Sequence, residues 1–131
     1  MAHRFEVTIY YEDTDFTGRV YHANYLKYFE RAREHLLGVE ELVRLYREDG
    51  VGFVVYRADL TFKEGAYHGD RVAIVTEVRA ESPYRAIFHQ RALRAADGAL
   101  LVEGEVHLVC VDARDKLVKL PATVREGLAT G

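Results

Sequence analysis

The 131-residue sequence is poor in the residues on which several kinds of catalysis depend. Its one serine, Ser82, precedes a proline and is not part of a G-x-S-x-G motif, which argues against a serine hydrolase. Its one cysteine, Cys110, lies on the inward face of a predicted strand, where a thiol is typically a packing residue, and it can form no intrachain disulfide. The glycine-rich motifs G-x-G-x-x-G and G-x-x-x-x-G-K, which bind dinucleotides and nucleoside triphosphates, are absent.

Long apolar runs and blocks of one charge are also absent. No segment approaches the roughly 20 apolar residues that span a bilayer, and residues 1–11 lack the apolar core of a secretory signal. The net charge of -3 comes from 21 acidic and 18 basic side chains mixed along the chain, which disfavours nucleic acid as a partner. Together with the single cysteine, these features predict a cytoplasmic protein of one domain, residues 1–131.

Apolar periodicity in the first half of the chain predicts one strand followed by two helices. Residues 4–11 alternate as in a half-buried strand, with Phe5, Val7, Ile9 and Tyr11 on one face. A helical period begins at Tyr25, with Asn24 as the N-cap, and Gly38 ends this helix. Its predicted core face comprises Leu26, Phe29, Ala32, Leu36 and Leu37, with Tyr25 and Tyr28 as further core residues. A shorter helix, VEELVRLYRED, ends at Gly50.

The second half of the chain predicts about four antiparallel strands joined by turns. Turns are predicted at residues 63–70, at Ser82-Pro83 and at Asp97-Gly98, the last as a two-residue hairpin. A short helix is predicted after Pro121. The order of elements predicts an α+β domain, in which a curved antiparallel sheet buries one face against the long helix.

The polar segment between the first strand and the first helix holds the candidate catalytic groups. Asp13 and Asp15 would point the same way if the backbone is extended, and Gly18 allows a sharp turn. His22 and Asn24 lie where the helix begins, and the free N–H groups there favour a developing negative charge. This combination suits acyl transfer to water, with a thioester as the substrate because a thiolate is a good leaving group.

Simpler interpretations of these residues remain open at this point. Asp13 and Asp15 could be solvated loop acids, or a D-x-D metal pair whose further ligands are not identifiable. His22 could be a packing or capping residue, and Asn24 could serve purely as a helix cap. The remaining candidate histidines, His68, His89 and His107, are predicted to be ordinary turn and strand residues.

The run YYEDTDFTGRVYHANYLKYFERAR, residues 10–33, resembles the active-site segment of hotdog-fold acyl-CoA thioesterases. The resemblance is to the 4-hydroxybenzoyl-CoA thioesterase family and especially to its Tol–Pal-associated branch. The shared pattern is T-D-x-x-G-x-V-Y-H-x-N-Y, followed by an aromatic residue and E-R-A-R, and a looser likeness continues through LTFKEGAYHGDRVAIVTEV and EGEVHLVCVD. It implies a single hotdog domain, with about five antiparallel strands wrapped around one long helix.

The resemblance also implies an activity and a site. The expected reaction is hydrolysis of an acyl-CoA thioester to free acid and CoA, without a metal or an organic cofactor. Asp15, rather than Asp13, is expected to act as nucleophile or general base. The backbone N–H of His22 is expected to hold the oxyanion and its imidazole to assist hydrolysis, while Gly18 and Asn24 support the helix start.

Subunits of this family pair into continuous sheets with active sites at their interface, so the resemblance implies a homodimer or a dimer of dimers. The candidate CoA-binding residues are Lys63, Ser82, Tyr84 and Arg85, which fall at predicted strand ends and turns. Lys63 and Arg85 could meet phosphate, although all four could equally be exposed strand-end residues.

Several functional questions stay open from the sequence. Arg19 and Thr17 occupy positions that vary in the family, and Arg19 adds a charge near the site, so the acyl group is undetermined. Acyl carrier protein could replace CoA as the carrier. Two other functions on the same fold are a non-catalytic acyl-CoA-binding or regulatory protein and an enzyme that hydrates or dehydrates acyl thioesters.

Overall fold

Six strands and two helices make up the part of the chain that the computed structural model describes, residues 2–122 and 125. The strands are β1 (His3–Thr8), β2 (Gly52–Phe62), β3 (Arg71–Ala80), β4 (Arg85–Arg94), β5 (Leu100–Val111) and β6 (Leu117–Val118). The helices are α1 (Asn24–Leu37) and α2 (Val39–Arg44), and α2 continues into a π-helical turn, Leu45–Asp49. A short 3-10 turn, Tyr11–Asp13, follows β1.

The strands form one antiparallel sheet in the order β1-β3-β4-β5-β2, and β6 pairs with the last residues of β5. β1 and β2 therefore lie at opposite edges. β2 pairs with β5 from Gly52 opposite Val111 to Phe62 opposite Val102, with one irregularity near Tyr56. The predicted antiparallel sheet packed on a long helix is confirmed, and the two-residue β6 is an addition to the expected strands.

Helix α1 packs against one face of this sheet. Phe29 and Ala32 are completely buried, and Tyr25 and Tyr28 are buried beside them, as predicted. Leu26 was expected in the core but is 46% exposed. The inward stripe of α1 passes through Tyr25 and Phe29 instead, because the position of the sheet selects which side of the helix is buried.

A buried polar network that the sequence did not predict joins α1 to the sheet. The Arg33 side chain is buried with 6% of the residue exposed, and its Nη1 donates to Oε1 of Gln90 at 3.0 Å. The Gln90 amide nitrogen in turn donates to Thr76 Oγ1 and to the Phe29 carbonyl, each at 3.0 Å. Burial lowers the pKa of the Arg33 guanidinium. Because an unpaired buried polar group is costly, the network fixes how α1 sits on β3 and β4.

Some predicted boundaries hold and others do not. Gly38 ends α1 with φ +97°, and Gly50 follows the π-helical turn with φ +65°, as expected. Tyr11 was expected to continue the inward face of β1, but the chain turns away from the sheet after Thr8 and Tyr11 is 80% exposed.

The Asp97-Gly98 pair does not form the predicted two-residue hairpin. Residues 95–99 connect β4 to β5, and the Arg94 N–H donates to the Ala99 carbonyl at 2.9 Å. Gly98, with φ +74°, donates its N–H to the Arg94 carbonyl at 2.7 Å and closes this longer loop. The helix predicted after Pro121 falls on a segment that lies mostly outside the described residues.

Candidate active site

The polar segment after β1 folds back on itself instead of staying extended. In the 3-10 turn, the Asp13 carboxylate accepts a hydrogen bond from the Tyr10 N–H at 2.8 Å. The Asp13 carbonyl accepts from the Tyr21 N–H at 2.9 Å and from the Asn24 side-chain nitrogen at 3.0 Å. Asp13 therefore ties the turn to the start of α1, and its carboxylate does not share the partners of Asp15.

Asp15 lies in a tight loop that Gly18 closes. One carboxylate oxygen of Asp15 accepts from the Thr17 N–H at 2.7 Å and from the Thr17 hydroxyl at 2.6 Å. The Asp15 N–H donates to the Arg19 carbonyl at 2.7 Å, and the Gly18 N–H donates to the Asp15 carbonyl at 3.0 Å, which the φ of +85° at Gly18 permits. The hydrogen bonds from Thr17 lower the pKa of Asp15, and the positive charge of Arg19 lowers it further. Asp15 is thus an exposed, ionised carboxylate held in one orientation.

The backbone between this loop and α1 has two unused donors. No acceptor among residues 2–122 receives a hydrogen bond from the N–H of His22 or of Ala23, whereas the N–H groups of Tyr21 and Asn24 are both bonded. Free N–H groups at a helix start, reinforced by the helix dipole, stabilise a negative oxygen. This segment therefore has the properties of an oxyanion site.

Asn24 supports this segment in a different way from the one predicted. It is the first residue of α1 rather than its N-cap, since Ala23 precedes the helix and no side chain caps it. The Asn24 side chain donates to the Asp13 carbonyl instead of accepting from the helix. The predicted cap is wrong, and a hydrogen bond across the loop holds the helix start in its place.

Asp15 and His22 line one cavity of about 290 Å³. Its other lining residues are Arg19, Val20, Tyr25, Phe62, Lys63, Glu64 and Gly65. The His22 ring meets the Phe62 ring edge-on, with 5.9 Å between the ring centroids. The Val20 N–H donates to the Ala66 carbonyl at 2.8 Å and attaches the loop to the turn after β2.

The candidate CoA-binding residues lie in two places. Lys63 lines the Asp15 cavity and its N–H donates to the Leu101 carbonyl at 2.8 Å. Arg85, Ser82 and Tyr84 lie at the turn between β3 and β4, where the Ser82 hydroxyl accepts from the Tyr84 N–H at 3.1 Å. Lys63 is bonded to Leu101 near one end of β5, and Arg85 pairs with Val109 near the other. The two places are therefore eight residues of β5, about 26 Å, apart within one subunit.

Comparison with known proteins identifies the family of this chain. Residues 10–128 match the model of the thioesterase-like superfamily. The chain belongs to that superfamily. The acyl-CoA thioester hydrolase YbgC of Escherichia coli is 37% identical over 110 residues, which cover 83% of this chain and 81% of that protein. The acyl-CoA thioesterase YbgC of Haemophilus influenzae is 36% identical over 124 residues, which cover 92% and 90% of the two chains.

A solved structure agrees with the fold of this superfamily member. The crystal structure of a 1,4-dihydroxy-2-naphthoyl-CoA thioesterase from Synechocystis matches with a TM-score of 0.91 at 23% identity and covers 98% of this chain and 96% of its own. At this identity the likeness shows the fold alone. The predictions of a hotdog fold and of an acyl-CoA thioesterase are confirmed by these matches taken together.

The contribution of two residues to this thioesterase's candidate site was missed from the sequence. Thr17 was taken as a variable position, yet it provides both hydrogen bonds to the Asp15 carboxylate. The D-x-T spacing is the available signal, because an aspartate commonly accepts from the residue two positions ahead. Tyr25 was assigned to the core but also lines the cavity, and burial raises its pKa to about 12, so it stays protonated.

Other chemistries have less support in the described part of the chain. Burial raises the pKa of the Cys110 thiol to about 12, which makes it a poor nucleophile. Residues 2–122 hold no cluster of three histidine, cysteine or acidic side chains placed for a metal ion. Over the same range, no helix has the length and apolar character to cross a membrane.

Proposed function

We propose that this acyl-CoA thioesterase uses Asp15 as its catalytic carboxylate and the His22 backbone N–H as its oxyanion donor. One observation carries the proposal: a carboxylate of lowered pKa and an unbonded N–H at a helix start lie at the same cavity. A thioester carbonyl between them would meet an attacking group on one side and a hydrogen-bond donor at its oxygen. Gly18 shapes the loop that carries Asp15, and Asn24 holds the donor segment in place.

Two courses of reaction fit these groups. In the general-base course, Asp15 takes a proton from water, the water oxygen bonds to the carbonyl carbon, and the His22 N–H stabilises the oxyanion. The carbon–sulfur bond then breaks, CoA leaves as a thiolate and takes up a proton, and the His22 imidazole can deliver it. In the nucleophilic course, an Asp15 carboxylate oxygen bonds to the carbonyl carbon and the carbon–sulfur bond breaks, so CoA leaves as a thiolate and takes up a proton. Water then hydrolyses the mixed anhydride to the free acid and restores the Asp15 carboxylate.

We also propose that a second copy of the chain completes the site by pairing along β2. β2 is an edge strand of 11 residues, and in the described sheet only β5 pairs with it. Val54, Val55 and Tyr56 on this strand are 44%, 44% and 48% exposed. A long edge strand with exposed apolar side chains favours pairing with another chain, and a two-fold axis makes the contact self-complementary.

Pairing along β2 brings together the two groups of candidate CoA-binding residues. In a two-fold antiparallel pair, Lys63 at the end of one β2 lies beside Gly52 at the start of the other. Arg85, the first residue of β4, lies at the same end of the sheet as Gly52, and β5 runs between β4 and β2. Arg85 of the partner subunit is therefore three strand spacings, about 14 Å, from Lys63. Arg85, Ser82 and Tyr84 of the partner subunit would then hold the phosphate end of one CoA molecule, with Lys63 near its thioester end. Further assembly of such dimers into tetramers is part of the same proposal.

Two finer assignments belong to the proposal as well. The motif from Thr14 to Arg33 supports the Tol–Pal-associated branch of the 4-hydroxybenzoyl-CoA thioesterase family. The single, buried Cys110 supports a reducing, cytoplasmic location. A non-catalytic acyl-CoA-binding role is the alternative, and it leaves the fixed orientation of Asp15 without an explanation.

The test is thiol release from a panel of acyl-CoAs by the wild type, Asp15→Asn and Asp13→Asn. Asp15→Asn should lower kcat by about 100- to 10,000-fold, the usual contribution of a positioned acid–base group. Asp13→Asn is the matched control, because an amide oxygen can still accept from the Tyr10 N–H. Retention of most of the rate by Asp15→Asn would refute the assignment, and tight binding without thiol release by the wild type would favour the non-catalytic alternative.

A further inference from the structure

Arg19 is an exposed cation that lines the Asp15 cavity, and three contacts of its backbone and side chain set its position. Its backbone forms an antiparallel bridge with Tyr67. Its guanidinium carbon lies 5.6 Å from the centroid of the Tyr67 ring. Its stem passes over Gly65, where an added Cβ would lie 2.8 Å from the Arg19 Cδ and 3.0 Å from its Cγ and Nε. The absence of a side chain at Gly65 therefore makes the space that Arg19 occupies.

In the described part of the chain, the Arg19 guanidinium has no anionic partner. Among residues 2–122, no acceptor takes a hydrogen bond from it and no carboxylate forms an ion pair with it. The charge of Arg19 lowers the pKa of Asp15, but the Asp15 carboxylate is hydrogen-bonded to Thr17 and not to Arg19. Glu64 lines the same cavity and forms no ion pair with Arg19. A guanidinium presents parallel N–H donors that match the two oxygens of a carboxylate. An unpaired fork that rests on the Tyr67 ring in a concave site is therefore suited to an anionic group of a ligand.

The position of Arg19 limits which part of the substrate can supply the anionic group that it binds. Arg19 lines the same cavity as the carboxylate proposed to act on the thioester, so its ligand lies near the reacting carbonyl. In an acyl-CoA the phosphates are separated from the thioester by the whole pantetheine arm. An anionic group close to the carbonyl must therefore belong to the acyl portion.

We propose that Arg19 selects acyl groups that carry a second carboxylate, that is, monothioesters of dicarboxylic acids. The inference rests on the proposed function, since it takes Asp15 as the reaction centre. Lys63 in the same cavity supports it, because a second positive charge offsets the repulsion between Asp15 and the substrate carboxylate. Arg19 acts here as a specificity-determining residue, and Gly65 is a positioning residue for it.

The experiment compares kcat/KM for two pairs of substrates matched in chain length, malonyl-CoA with propanoyl-CoA and adipoyl-CoA with hexanoyl-CoA. The wild type should prefer at least one dicarboxylic member over its neutral partner. Arg19→Ala should lower the ratio of kcat/KM for that member to kcat/KM for its neutral partner by about 10- to 100-fold, as expected for lost charge-assisted hydrogen bonds. Arg19→Lys should lie between the two, because it keeps the charge and loses the fork. Arg4→Ala, on the far edge strand, is the control and should change neither.

Gly65→Ala tests the same inference without removing a charge. The new Cβ would displace the Arg19 stem, so the variant should lower the same dicarboxylic-to-neutral ratio of kcat/KM. An equal loss of kcat/KM for all acyl-CoAs in Arg19→Ala would mean that Arg19 contacts the CoA portion, and it would overturn the inference. Equal wild-type kcat/KM for both members of each pair would overturn it as well. Asp15→Asn, assayed on the neutral substrates, tests the catalytic proposal separately from the specificity proposal. If this variant keeps the wild-type rate, the catalytic role of Asp15 is overturned, whatever the result for Arg19.

Discussion

The hydroxyl and the backbone N–H of Thr17 both donate to one carboxylate oxygen of Asp15, at 2.6 and 2.7 Å. These bonds fix the carboxylate in one orientation and favour its ionised form over its protonated form. With Asp15 as the proposed catalytic carboxylate, these two hydrogen bonds should set the acid limb of the pH profile of hydrolysis.

Removal of the Thr17 hydroxyl should shift the pH profile of hydrolysis. The hydrogen bonds from Thr17 lower the pKa of Asp15, so the wild-type carboxylate stays ionised as the pH falls. In Thr17→Val this pKa rises, the carboxylate takes up its proton at a higher pH, and the acid limb of kcat/KM should move upward. Thr17→Ser keeps the hydroxyl and should leave the limb in place. An unmoved limb in Thr17→Val would show that Asp15 does not control it.

Loss of the hydrogen bond between Asn24 and Asp13 should affect catalysis more than folding. Asn24→Ala removes one partly buried hydrogen bond, which is worth about 1 kcal/mol of unfolding free energy. The N–H groups of His22 and Ala23 would lose their fixed direction, so kcat should fall several-fold while KM changes less. Lys27→Ala, on the exposed side of the same helix, is the control for thermal stability and rate. Equal kinetics for the two variants would contradict the supporting role of Asn24.

The buried network between α1 and the sheet should show a strong coupling between Arg33 and Gln90. Gln90→Leu leaves the buried Arg33 charge without its acceptor and should destabilise the fold by about 3 kcal/mol. Adding Arg33→Met removes that unpaired charge, so the double variant should be more stable than Gln90→Leu alone. Urea unfolding of both single variants and the double variant measures this coupling. Additive effects would mean that the two side chains contribute independently.

Disruption of the β2 edge should separate the subunits and abolish hydrolysis together. The double variant Val54→Lys/Val55→Lys places two charges on the exposed edge that a second copy is proposed to cover. Light scattering after size exclusion should show a monomer, and thiol release should be lost although the fold is retained. Leu117→Lys, at a residue of similar exposure on β6, is the matched control. An active monomer would refute the shared site.

The local features of this fold follow closely from the sequence. The run RVAIVTEVRA forms β3 over the predicted residues, because alternating side chains and flanking turn residues act within a few positions of each other. Gly38 ends α1 for an equally local reason, its backbone conformation. The predicted two-residue hairpin at Asp97-Gly98 was wrong because the turn sequence does not report how β4 and β5 pair. Their pairing register leaves a loop of five residues between the two strands.

The sequence by itself determined the kind of protein: the alternating and helical periods fix the elements, and the T-D-x-x-G to E-R-A-R pattern fixes the family. It could not separate Asp13 from Asp15 by chemistry, since two carboxylates two residues apart look alike until the backbone is folded. Tertiary structure places the two differently, because the Asp13 carboxylate bonds within the 3-10 turn and Asp15 lines the cavity, which supports the choice of Asp15 that the resemblance implied. It alone brought Arg33 to Gln90 and Arg19 to Gly65, because contacts between residues distant in sequence depend on how helix, loop and sheet pack against one another.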